Sequence, residues 1–394
     1  MKFLKKLIKI LVVFFGLLIA VLYITDTDYL LKAVRTIYMR GQTTAYLEDY
    51  RHFDNQDIEV SNNPQAWPNH KAYNSVTETK RLSKANKDWG SIAYVIIKND
   101  SVWFENYYDG FNEDSKSNSF SMAKSYVSGL MGKAIMQGHI KSLDQPVCDF
   151  LPAFCDGTAA KMKVGDLSSM ASGTNWDEAY YSPLSITTRA YFDDDLAKVM
   201  NGLKVVNEPG TAYKYASGDT QMLAMVIEKA TGKPLYEYFE ESFWKPLGSE
   251  NETLWQFDSE DHDLVKAYCC IASNAKDFAR FGKLYKDHGK WNGKQILDSA
   301  FIAKSVVPRF PESPEYGYGW WLKKHLGKNF FMMRGHLGQY VFVQPKDNVI
   351  IVRLGHQKSP DNLDAKPFTD DISLYIEEGY NYYVVFRLYK YILT

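Results

Sequence analysis

The sequence predicts a mixed α/β fold in which strands from both ends of the chain share one sheet. Two runs rich in β-branched and aromatic residues, IAYVIIK and VWFENYY, are joined by Asn99-Asp100-Ser101, which is typical of a hairpin turn. Three more such runs lie far downstream, namely NFFMMR, QYVFVQ and NVIIVRL. Between the two groups the signals are helical or loop-like, as in DTQMLAMVIEKATG, where Gly232 stands at the position of a helix C-cap. The pattern therefore predicts one sheet with a helical region inserted between its strands.

Composition and charge narrow the class of function. The chain has 394 residues, 45% hydrophobic and 24% charged, which suffices for one large globular domain or two smaller ones. Its formal net charge is -1 and it has no basic stripe or arginine cluster. We expect no nucleic-acid partner, because phosphate binding needs concentrated positive charge. Neither a C-x-x-C motif nor a histidine cluster occurs, so we also expect no metal and no cofactor.

The first 25 residues form a separate segment. Four lysines precede or border the apolar run from Ile10 to Ile24, a pattern typical of membrane targeting. Ala20-Val21-Leu22 has no small residue at its last position, where a secretory signal would be cleaved, so an uncleaved single-pass anchor is favoured over a cleaved signal. Lysines hold the N-terminus in the cytoplasm, which places the rest of the chain on the outer side of the cell inner membrane, facing the periplasm or the cell exterior.

Four cysteines suit an extracytoplasmic protein without proving that location. Cys148 and Cys155 flank a proline-containing loop, and they either form a disulfide or remain two free buried thiols. Cys269 and Cys270 are adjacent, and we expect them to be small core residues, since a disulfide between neighbouring residues is strained.

A serine and a lysine three residues apart, Ser121 and Lys124, begin a helical pattern. Apolar residues then recur at the spacing of one helix face, at Tyr126, Val127, Leu130, Met131, Ala134 and Ile135. A helix N-terminus supplies unpaired N–H groups and a positive dipole end, which stabilise the oxyanion formed when a hydroxyl attacks a carbonyl. The i, i+3 spacing brings Lys124 to the side of Ser121, where a neutral lysine would accept the hydroxyl proton. Helix capping is the structural alternative for Ser121.

The same S-x-x-K pattern also begins at Ser242 and at Ser273. Ser242 lies late in LYEYFEESFWKPLG, shortly before Pro246, which indicates the end of a helix. Ser273 and Asn274 precede AKDFARFGKLY, and together with Asp277 they are typical of a helix cap. We interpret both copies as structural.

The order of the neighbouring motifs distinguishes Ser121 from the other two serines. FSMAKS resembles the first active-site motif of the serine β-lactamase and penicillin-binding superfamily, in its class C, esterase and 6-aminohexanoate-dimer hydrolase branch. The resemblance continues, in the order of the family, through SLDQPVCDFLP, VGDLSSMASGTNWDEAY, VNEPGTAYKYASGDTQMLAMVIEKATGKPL, IASNAKDFARFGKLYKDHGKWNGKQIL, YGYGWWL and RGHLGQYVFVQP. It implies an antiparallel sheet with helices on both faces, interrupted by a mostly helical subdomain, with the active site between the two.

The resemblance also implies roles for individual residues. Ser121 matches the acylated nucleophile and Lys124 its activating partner. Tyr215, in Tyr215-Ala216-Ser217, matches the tyrosine of the second motif, which passes a proton to the leaving group and helps to activate the deacylating water. A phenol beside a lysine cation becomes a usable base. An ordinary buried tyrosine is the alternative for Tyr215.

The third motif lies at the start of the strand QYVFVQ. Gly338 there lets the substrate lie close to the strand edge, and the N–H of Gln339 matches the second oxyanion donor beside that of Ser121. His336 stands where β-lactamases usually have a lysine, and Ser217 where they usually have an asparagine. Both departures weaken recognition of a carboxylate and of an acylamino group, which favours neutral or amino-bearing esters and amides over β-lactams. A loop histidine with a structural hydrogen bond is the alternative for His336.

Aromatic residues cluster in two loops near the expected mouth of the site. Trp176, Tyr180 and Tyr181 lie in one loop, and Trp320 and Trp321 in the other. We expect Tyr180 and Tyr181 to contact substrate in an apolar acyl pocket, and the tryptophans to pack in the core.

These inferences divide the chain into four parts. They are an anchor or signal segment (1–25), a stalk and lead-in (26–88), a β-lactamase-like serine hydrolase domain (89–362, with a helical insert at 125–265) and a C-terminal helix with an aromatic tail (363–394). The tail is expected to pack on the domain or to rest on the membrane surface.

The sequence as a whole predicts a membrane-anchored, extracytoplasmic serine hydrolase that cleaves esters or amides through an acyl-enzyme on Ser121. A β-lactamase or D-Ala-D-Ala peptidase is one alternative. A non-catalytic protein that binds a cell-wall fragment or a lipid in the same cleft is the other, although a complete set of Ser121, Lys124 and Tyr215 argues against it.

Overall fold

The structure is a computed structural model that describes residues 1–359 and 371–380 of the chain. The helices in the first range are α1 (Lys2–Ile24), α2 (Tyr29–Thr36), α3 (Lys80–Asp88), α4 (Ala123–Met136), α5 (Val164–Ser168), α6 (Ile186–Phe192), α7 (Leu196–Asn201), α8 (Ser217–Thr231), α9 (Leu235–Phe239), α10 (Ala275–Lys286) and α11 (Ser299–Ser305). The strands are β1 (Asn55–Ile58), β2 (Ser91–Lys98), β3 (Ser101–Tyr107), β4 (Ser117–Asn118), β5 (Thr253–Gln256), β6 (Ile271–Ser273), β7 (Lys290–Trp291), β8 (Lys294–Gln295), β9 (Trp321–His325), β10 (Lys328–Gly335), β11 (Gln339–Gln344) and β12 (Val349–Gly355). Residues 371–380 are helical as well.

A six-stranded antiparallel sheet, in the order β3-β2-β12-β11-β10-β9, forms the framework. Within this sheet β2 pairs with β12, with Val95 opposite Val352 and Ile97 opposite Ile350. The prediction that strands from both ends of the chain share one sheet is therefore confirmed. This pairing leaves the chain between β3 and β9 free to form the helical region.

The hairpin between β2 and β3 follows the predicted turn. Lys98 pairs with Ser101, and the two residues between them, Asn99 and Asp100, have φ angles of 49° and 59°. Positive φ at both central positions matches the twist of a two-residue hairpin, and asparagine and aspartate tolerate it better than most residues.

Helices cover both faces of the large sheet. Residues of β2 alternate between two cores, with Val95 and Ile97 in one and Tyr94 and Ile96 in the other. Helix α10 packs on the first face, where Gly282 lies against β11. Residues 371–380 supply Ile372, Tyr375 and Ile376 to the second core. The predicted arrangement of an antiparallel sheet between helices is confirmed.

The inserted region contains helices α4 to α9, with α4 and α8 packed against each other. Helix α8 ends as predicted, because Gly232 adopts φ 71° and its N–H donates to the carbonyl of Glu228 at 2.8 Å. A smaller sheet, in the order β1-β5-β6-β4, connects this region to the strand that precedes Ser121.

The segment expected to be a stalk and lead-in contributes to the core. Tyr29, Ala33 and Ile37 are buried along one side of α2, and Leu47 and Ile58 are fully buried further along the chain. Strand β1 pairs with β5 of the smaller sheet. Although this segment is polar in overall composition, it contains regularly spaced apolar residues that pack on the domain.

Both cysteine pairs form disulfides in the structure. Cys148 pairs with Cys155, which decides between the two alternatives left open by the sequence. Cys269 also pairs with Cys270, so the expectation that these two are unpaired core residues is wrong, although both are buried. Cys270 has φ 78°, a conformation that allows the chain to turn between the two sulfurs.

Helix α1 is long and apolar enough to span a membrane or to act as a signal sequence. None of its residues is buried against the rest of the protein. The C-terminal tail that we expected to pack on the domain or on a membrane surface lies outside the described residues, apart from residues 371–380.

Candidate active site

Ser121 lies in a 3-10 turn, Phe120–Met122, that leads directly into α4. The preceding Phe120 has φ 45°, a rare value for a bulky residue, and its N–H donates to the Asn118 side chain at 2.9 Å. Asn118 in turn donates to the buried carboxyl of Asp49 at 2.9 Å. The surrounding hydrogen bonds thus hold a strained turn that leaves Ser121 partly exposed at the start of the helix.

Lys124 follows one turn later and is buried, with 3% of its surface exposed. Its Nζ lies 2.9 Å from Ser121 Oγ and donates to the carbonyl of Tyr268 at 2.8 Å. Burial lowers the pKa of Lys124 to about 8, while the nearby Glu178 opposes this change. A substantial fraction of the lysine is therefore neutral in weakly alkaline solution, where the amine is able to accept the Ser121 proton.

Tyr215 completes the predicted set. The Lys124 Nζ lies 5.1 Å from the centre of its ring, and Ser121 lies within hydrogen-bonding reach of its phenol. Burial raises the pKa of Tyr215, and Glu178 raises it further, whereas Ser121 and Arg334 act in the opposite direction. The phenol is therefore protonated at neutral pH, in contrast to the acidified phenol expected from the sequence, because burial and the charge of Glu178 outweigh the effects of Ser121 and Arg334.

Glu178, which sequence reasoning missed, connects several of the predicted residues. Its carboxylate accepts hydrogen bonds from the Tyr180 hydroxyl at 2.8 Å, from the Ser217 N–H at 3.2 Å and from the Ser217 hydroxyl. The indole N–H of Trp176 also donates to it. The charge of Glu178 thus acts on Lys124 and Tyr215, and its carboxylate fixes the hydroxyl of Ser217. Its only signal in the sequence was its position inside the motif WDEAY.

His336 lies between two aromatic rings. Tyr180 stacks on it with ring centres 5.3 Å apart, and Phe120 meets it edge to face at 5.5 Å. Burial, with a smaller contribution from Lys358, lowers the pKa of His336 to about 4. Its Nε2 has no hydrogen-bond partner among the described residues. The imidazole is therefore neutral at physiological pH.

Gly338 and Gln339 shape the strand edge beside Ser121. Gly338 has φ 85°, and a Cβ there would lie 2.3 Å from a guanidinium nitrogen of Arg353, so only glycine fits. The side chain of Gln339 is fully buried and binds the backbone of Gly355, with its Nε2 2.7 Å from that carbonyl oxygen. Only the backbone of Gln339 is therefore available to a substrate.

A cavity of about 360 Å³ opens beside Ser121, His336 and Ser217. Tyr180 and Tyr181, which we expected to contact substrate, line it. Its other lining residues were not anticipated; they include residues of α2, α6 and the segment between Thr43 and Ala45. A neighbouring and more polar part of the cleft also reaches His336 and Tyr181.

The tryptophans pack in the core as expected, with one exception. Trp176 and Trp320 are buried in the core. Trp321 is only partly buried and its ring lies 5.4 Å from that of Tyr215, so it supports the site directly.

The two rival serines occupy structural positions. Ser242 lies in the π-helical turn that follows α9, and Lys245 forms ion pairs with glutamates. Ser273 ends strand β6, and the next residue, Asn274, caps α10 by accepting from the N–H of Asp277 at 2.9 Å. The prediction of a helix end and a helix cap is confirmed.

Comparison with known proteins identifies the family of the chain. The family model described as Beta-lactamase matches residues 80–373. The chain is similar to the 6-aminohexanoate-dimer hydrolase of Paenarthrobacter ureafaciens, with 23% identity over 292 residues that cover 68% of this chain and 73% of the relative.

Two solved structures share the fold. A candidate 6-aminohexanoate-dimer hydrolase from Bacillus anthracis has a TM-score of 0.71 and 21% identity, covering 87% of this chain and 94% of that one. EstCE1, a hydrolase with promiscuous acyltransferase activity, has a TM-score of 0.60 and 16% identity, covering 76% and 98%. The chain therefore belongs to the Beta-lactamase family, and it is an enzyme of the hydrolase class.

Proposed function

We propose that this protein is a membrane-anchored serine hydrolase that cleaves neutral or amino-bearing esters and amides on the outer side of the cell inner membrane, through an acyl-enzyme on Ser121. The observation that carries the proposal is the 2.9 Å contact between Ser121 Oγ and the buried amine of Lys124, whose pKa lies near 8. The apolar helix α1 and the lysines around it support the location.

Acylation begins with neutral Lys124. Its Nζ accepts the Ser121 proton while Oγ attacks the substrate carbonyl carbon, which becomes tetrahedral and carries the negative charge on its oxygen. The N–H groups of Ser121 and Gln339 are the proposed donors to this oxyanion. When the tetrahedral intermediate collapses, the bond to the leaving alcohol or amine breaks and the acyl group remains on Ser121.

Tyr215 is the proton donor to the leaving group in this scheme. Because its pKa is raised, the phenol carries a proton that it donates to the departing oxygen or nitrogen, and the Lys124 ammonium then reprotonates it. Water attacks the acyl-enzyme in the second half-reaction by the reverse route. The free acid is released, and Ser121 regains its proton.

Selectivity for neutral or amino-bearing substrates rests on three residues. His336 is uncharged where a permanent cation would bind a carboxylate, since its pKa is about 4. The Ser217 hydroxyl is already engaged with Glu178. The carboxylate of Glu178 repels anionic substrates and attracts amino groups, which strengthens the same preference.

The selectivity has a direct test. We expect the double variant His336→Lys, Ser217→Asn to be acylated by a penicillin roughly ten- to several-hundred-fold faster than the wild type, because one or two charge-assisted contacts of about 1.5–3 kcal/mol are restored. Turnover of a neutral ester should fall. Stopped-flow acylation measures both rates, and a double variant no faster with penicillin than the wild type would contradict this account of selectivity.

Glu178 yields a prediction about pH. Its charge raises the pKa of Lys124, so Glu178→Gln should lower that pKa and shift the rise of acylation rate with pH towards lower pH. Single-turnover acylation of a neutral ester between pH 5 and 10 measures the shift, and Glu178→Asp is the matched control that retains the charge. If the acylation rate of the glutamine variant rises at the same pH as in the wild type, or at a higher pH, Glu178 does not act on Lys124.

A second candidate function, a β-lactamase or D-Ala-D-Ala peptidase, is favoured by one observation. Lys358 lines the polar part of the cleft together with His336, so a cation stands near the position that binds a carboxylate in such enzymes. Under this alternative the wild type hydrolyses penicillins or D-Ala-D-Ala peptides with kcat/KM of about 10⁴ M⁻¹s⁻¹ or more, and Lys358→Ala removes that activity.

A panel of substrates separates the two candidates. The full chain, purified in detergent, is assayed with p-nitrophenyl esters, neutral anilides, a penicillin and a D-Ala-D-Ala peptide. Our proposal predicts hydrolysis of the esters or anilides and little of the anionic pair. Exclusive hydrolysis of the anionic pair would reverse the order of the candidates.

A further inference from the structure

We propose that the substrate carries a fatty acyl chain and reaches Ser121 from the membrane in which α1 is anchored. This inference rests on the proposed function and adds the class of substrate and its route of entry. Four features of the described residues carry it: the chemistry of the cavity, the side of the site on which it lies, the helix that forms its wall and the surface around its mouth.

The cavity beside Ser121 is lined mainly by apolar groups. They include Leu30, Ala33, Ile37 and Phe192, together with the rings of Tyr180 and Tyr191. Its volume of about 360 Å³ is within the range of small-molecule pockets. A short acyl group such as acetyl would leave most of this apolar wall without contacts, whereas a hydrocarbon chain would bury it.

The cavity lies on the acyl side of the site. Ser121 lines it, but Tyr215, which we assign to the leaving group, is not among its lining residues. A chain in the cavity is therefore attached to the carbonyl carbon that becomes bonded to Ser121. The reaction is the proposed one, in which Oγ takes the acyl group, the alcohol or amine leaves with a proton, and water then releases the fatty acid.

The wall of the cavity comes from the helix next to the anchor. Four residues separate the end of α1 from the start of α2 at Tyr29, and α2 with its C-cap supplies Leu30, Ala33, Val34 and Ile37 to the lining. Because α2 is about 12 Å long, the cavity lies close to the end of α1. The first helix of the domain after the anchor is therefore also part of the cavity wall.

Polar contacts hold the end of α1 against the rim of the site. Asp26 accepts from Lys198 at 2.8 Å and also pairs with Arg189 on α6, a helix that lines the cavity as well. The Tyr29 hydroxyl donates to the carbonyl of Pro183 at 3.1 Å. Lys32 pairs with Asp194 at 2.7 Å. These contacts fix where the anchor leaves the domain relative to the cavity.

Exposed apolar side chains surround the mouth. Val34 is 47% exposed, Tyr38 54% and Tyr181 62%, and all three line the cavity as well. Met39 and Leu184 lie next to lining residues and are more exposed still. A surface that joins an apolar cavity to an apolar exterior beside a membrane-spanning helix suits contact with lipid, because such a patch is unfavourable in water.

Chain-length selectivity of the full chain, reconstituted into phosphatidylcholine vesicles, tests the cavity. For p-nitrophenyl esters from acetate to octanoate, kcat/KM should rise at least tenfold, since each fully buried methylene is worth about fourfold. Val34→Glu, which places a charge at the mouth, should lower the ratio of the octanoate to the acetate kcat/KM at least fivefold. Leu31→Glu is the matched control on the same helix, because Leu31 is exposed but does not line the cavity.

A vesicle assay tests the route of entry. The full chain is reconstituted into phosphatidylcholine vesicles, and 4-methylumbelliferyl palmitate is placed either in the same vesicles or in separate ones. Delivery from the membrane predicts an initial rate at least tenfold higher in the same vesicles, and equal rates would overturn it.

The outcomes separate the two proposals. Hydrolysis of acetate at Ser121 with a flat chain-length profile would overturn the fatty acyl substrate and leave the hydrolase function standing. Absence of hydrolysis of every ester, together with absence of a Ser121 adduct, would overturn both.

Discussion

Ser121→Ala is expected to reduce kcat/KM for a neutral p-nitrophenyl ester by a factor of about 10⁴ or more, because it removes the oxygen that forms the acyl-enzyme. The change deletes one atom at a partly exposed position, so the fold should be retained. Thermal unfolding of the variant, measured beside the wild type, verifies this.

Two serines provide the controls for Ser121. Ser242→Ala and Ser273→Ala alter the other copies of the S-x-x-K pattern and should leave turnover intact. Neither serine caps a helix in the structure, so each change should lower the free energy of unfolding by less than a lost cap does, which is about 0.5–2 kcal/mol. A loss of turnover in either variant, with the fold intact, would show that the role of nucleophile has been assigned to the wrong serine.

Lys124→Met is expected to lower the rate of acylation by about 10²–10⁴, the usual contribution of a general base, while methionine occupies most of the volume of the lysine side chain. In the wild type the acylation rate should rise with pH through about 8, because Lys124 accepts the proton only in its neutral form and its pKa is lowered to that value. The variant should lose this rise. Stopped-flow acylation at several pH values measures both effects.

Lys133→Met is the matched control for Lys124. Lys133 lies on the same helix, donates to the backbone carbonyl of Ile296 at 2.7 Å, and has its pKa lowered by burial as well. It is not part of the cavity beside Ser121. If Lys133→Met reduced acylation as strongly as Lys124→Met, the effect would be structural and Lys124 would not be the base.

The parts of the fold and of the site that could be predicted from the sequence are those that depend on residues close together along the chain. Ser121 and Lys124 face each other because they are three residues apart at the start of one helix. The hairpin at Asn99 and Asp100 and the helix end at Gly232 follow from the backbone preferences of those residues. Such local patterns do not depend on which distant segment packs beside them.

Features that depend on distant contacts were missed or misjudged. Glu178 lies 57 residues from Ser121 along the chain, and no spacing rule connects the two. The pKa of Tyr215 was misjudged because it is raised by burial, and that burial depends on several loops that are distant in the sequence. Helix α2 did carry a signal, since Tyr29, Ala33 and Ile37 recur every four residues, but eight residues between polar segments gave that periodicity too little length to stand out.

The disulfide between Cys269 and Cys270 was misjudged for a similar reason. Adjacent cysteines pair only when the backbone between them turns sharply, and the turn at Cys270, with its positive φ, is held by hydrogen bonds from Trp255 and Gln256 of β5 to the carbonyls of Cys269 and Cys270. The segment that contains this turn also presents the Tyr268 carbonyl to Lys124. Its conformation is thus tied to the site and could not be deduced from the cysteines alone.

The central claim is that an acyl-enzyme forms on Ser121, and its most direct test is the intact mass of the full chain after an acid quench during turnover of p-nitrophenyl butyrate, followed by peptide mapping. We predict an increase equal to one butyryl group, located on the peptide that contains Ser121 and absent from Ser121→Ala. A butyryl adduct on another residue, or one that persists in Ser121→Ala, would contradict the account.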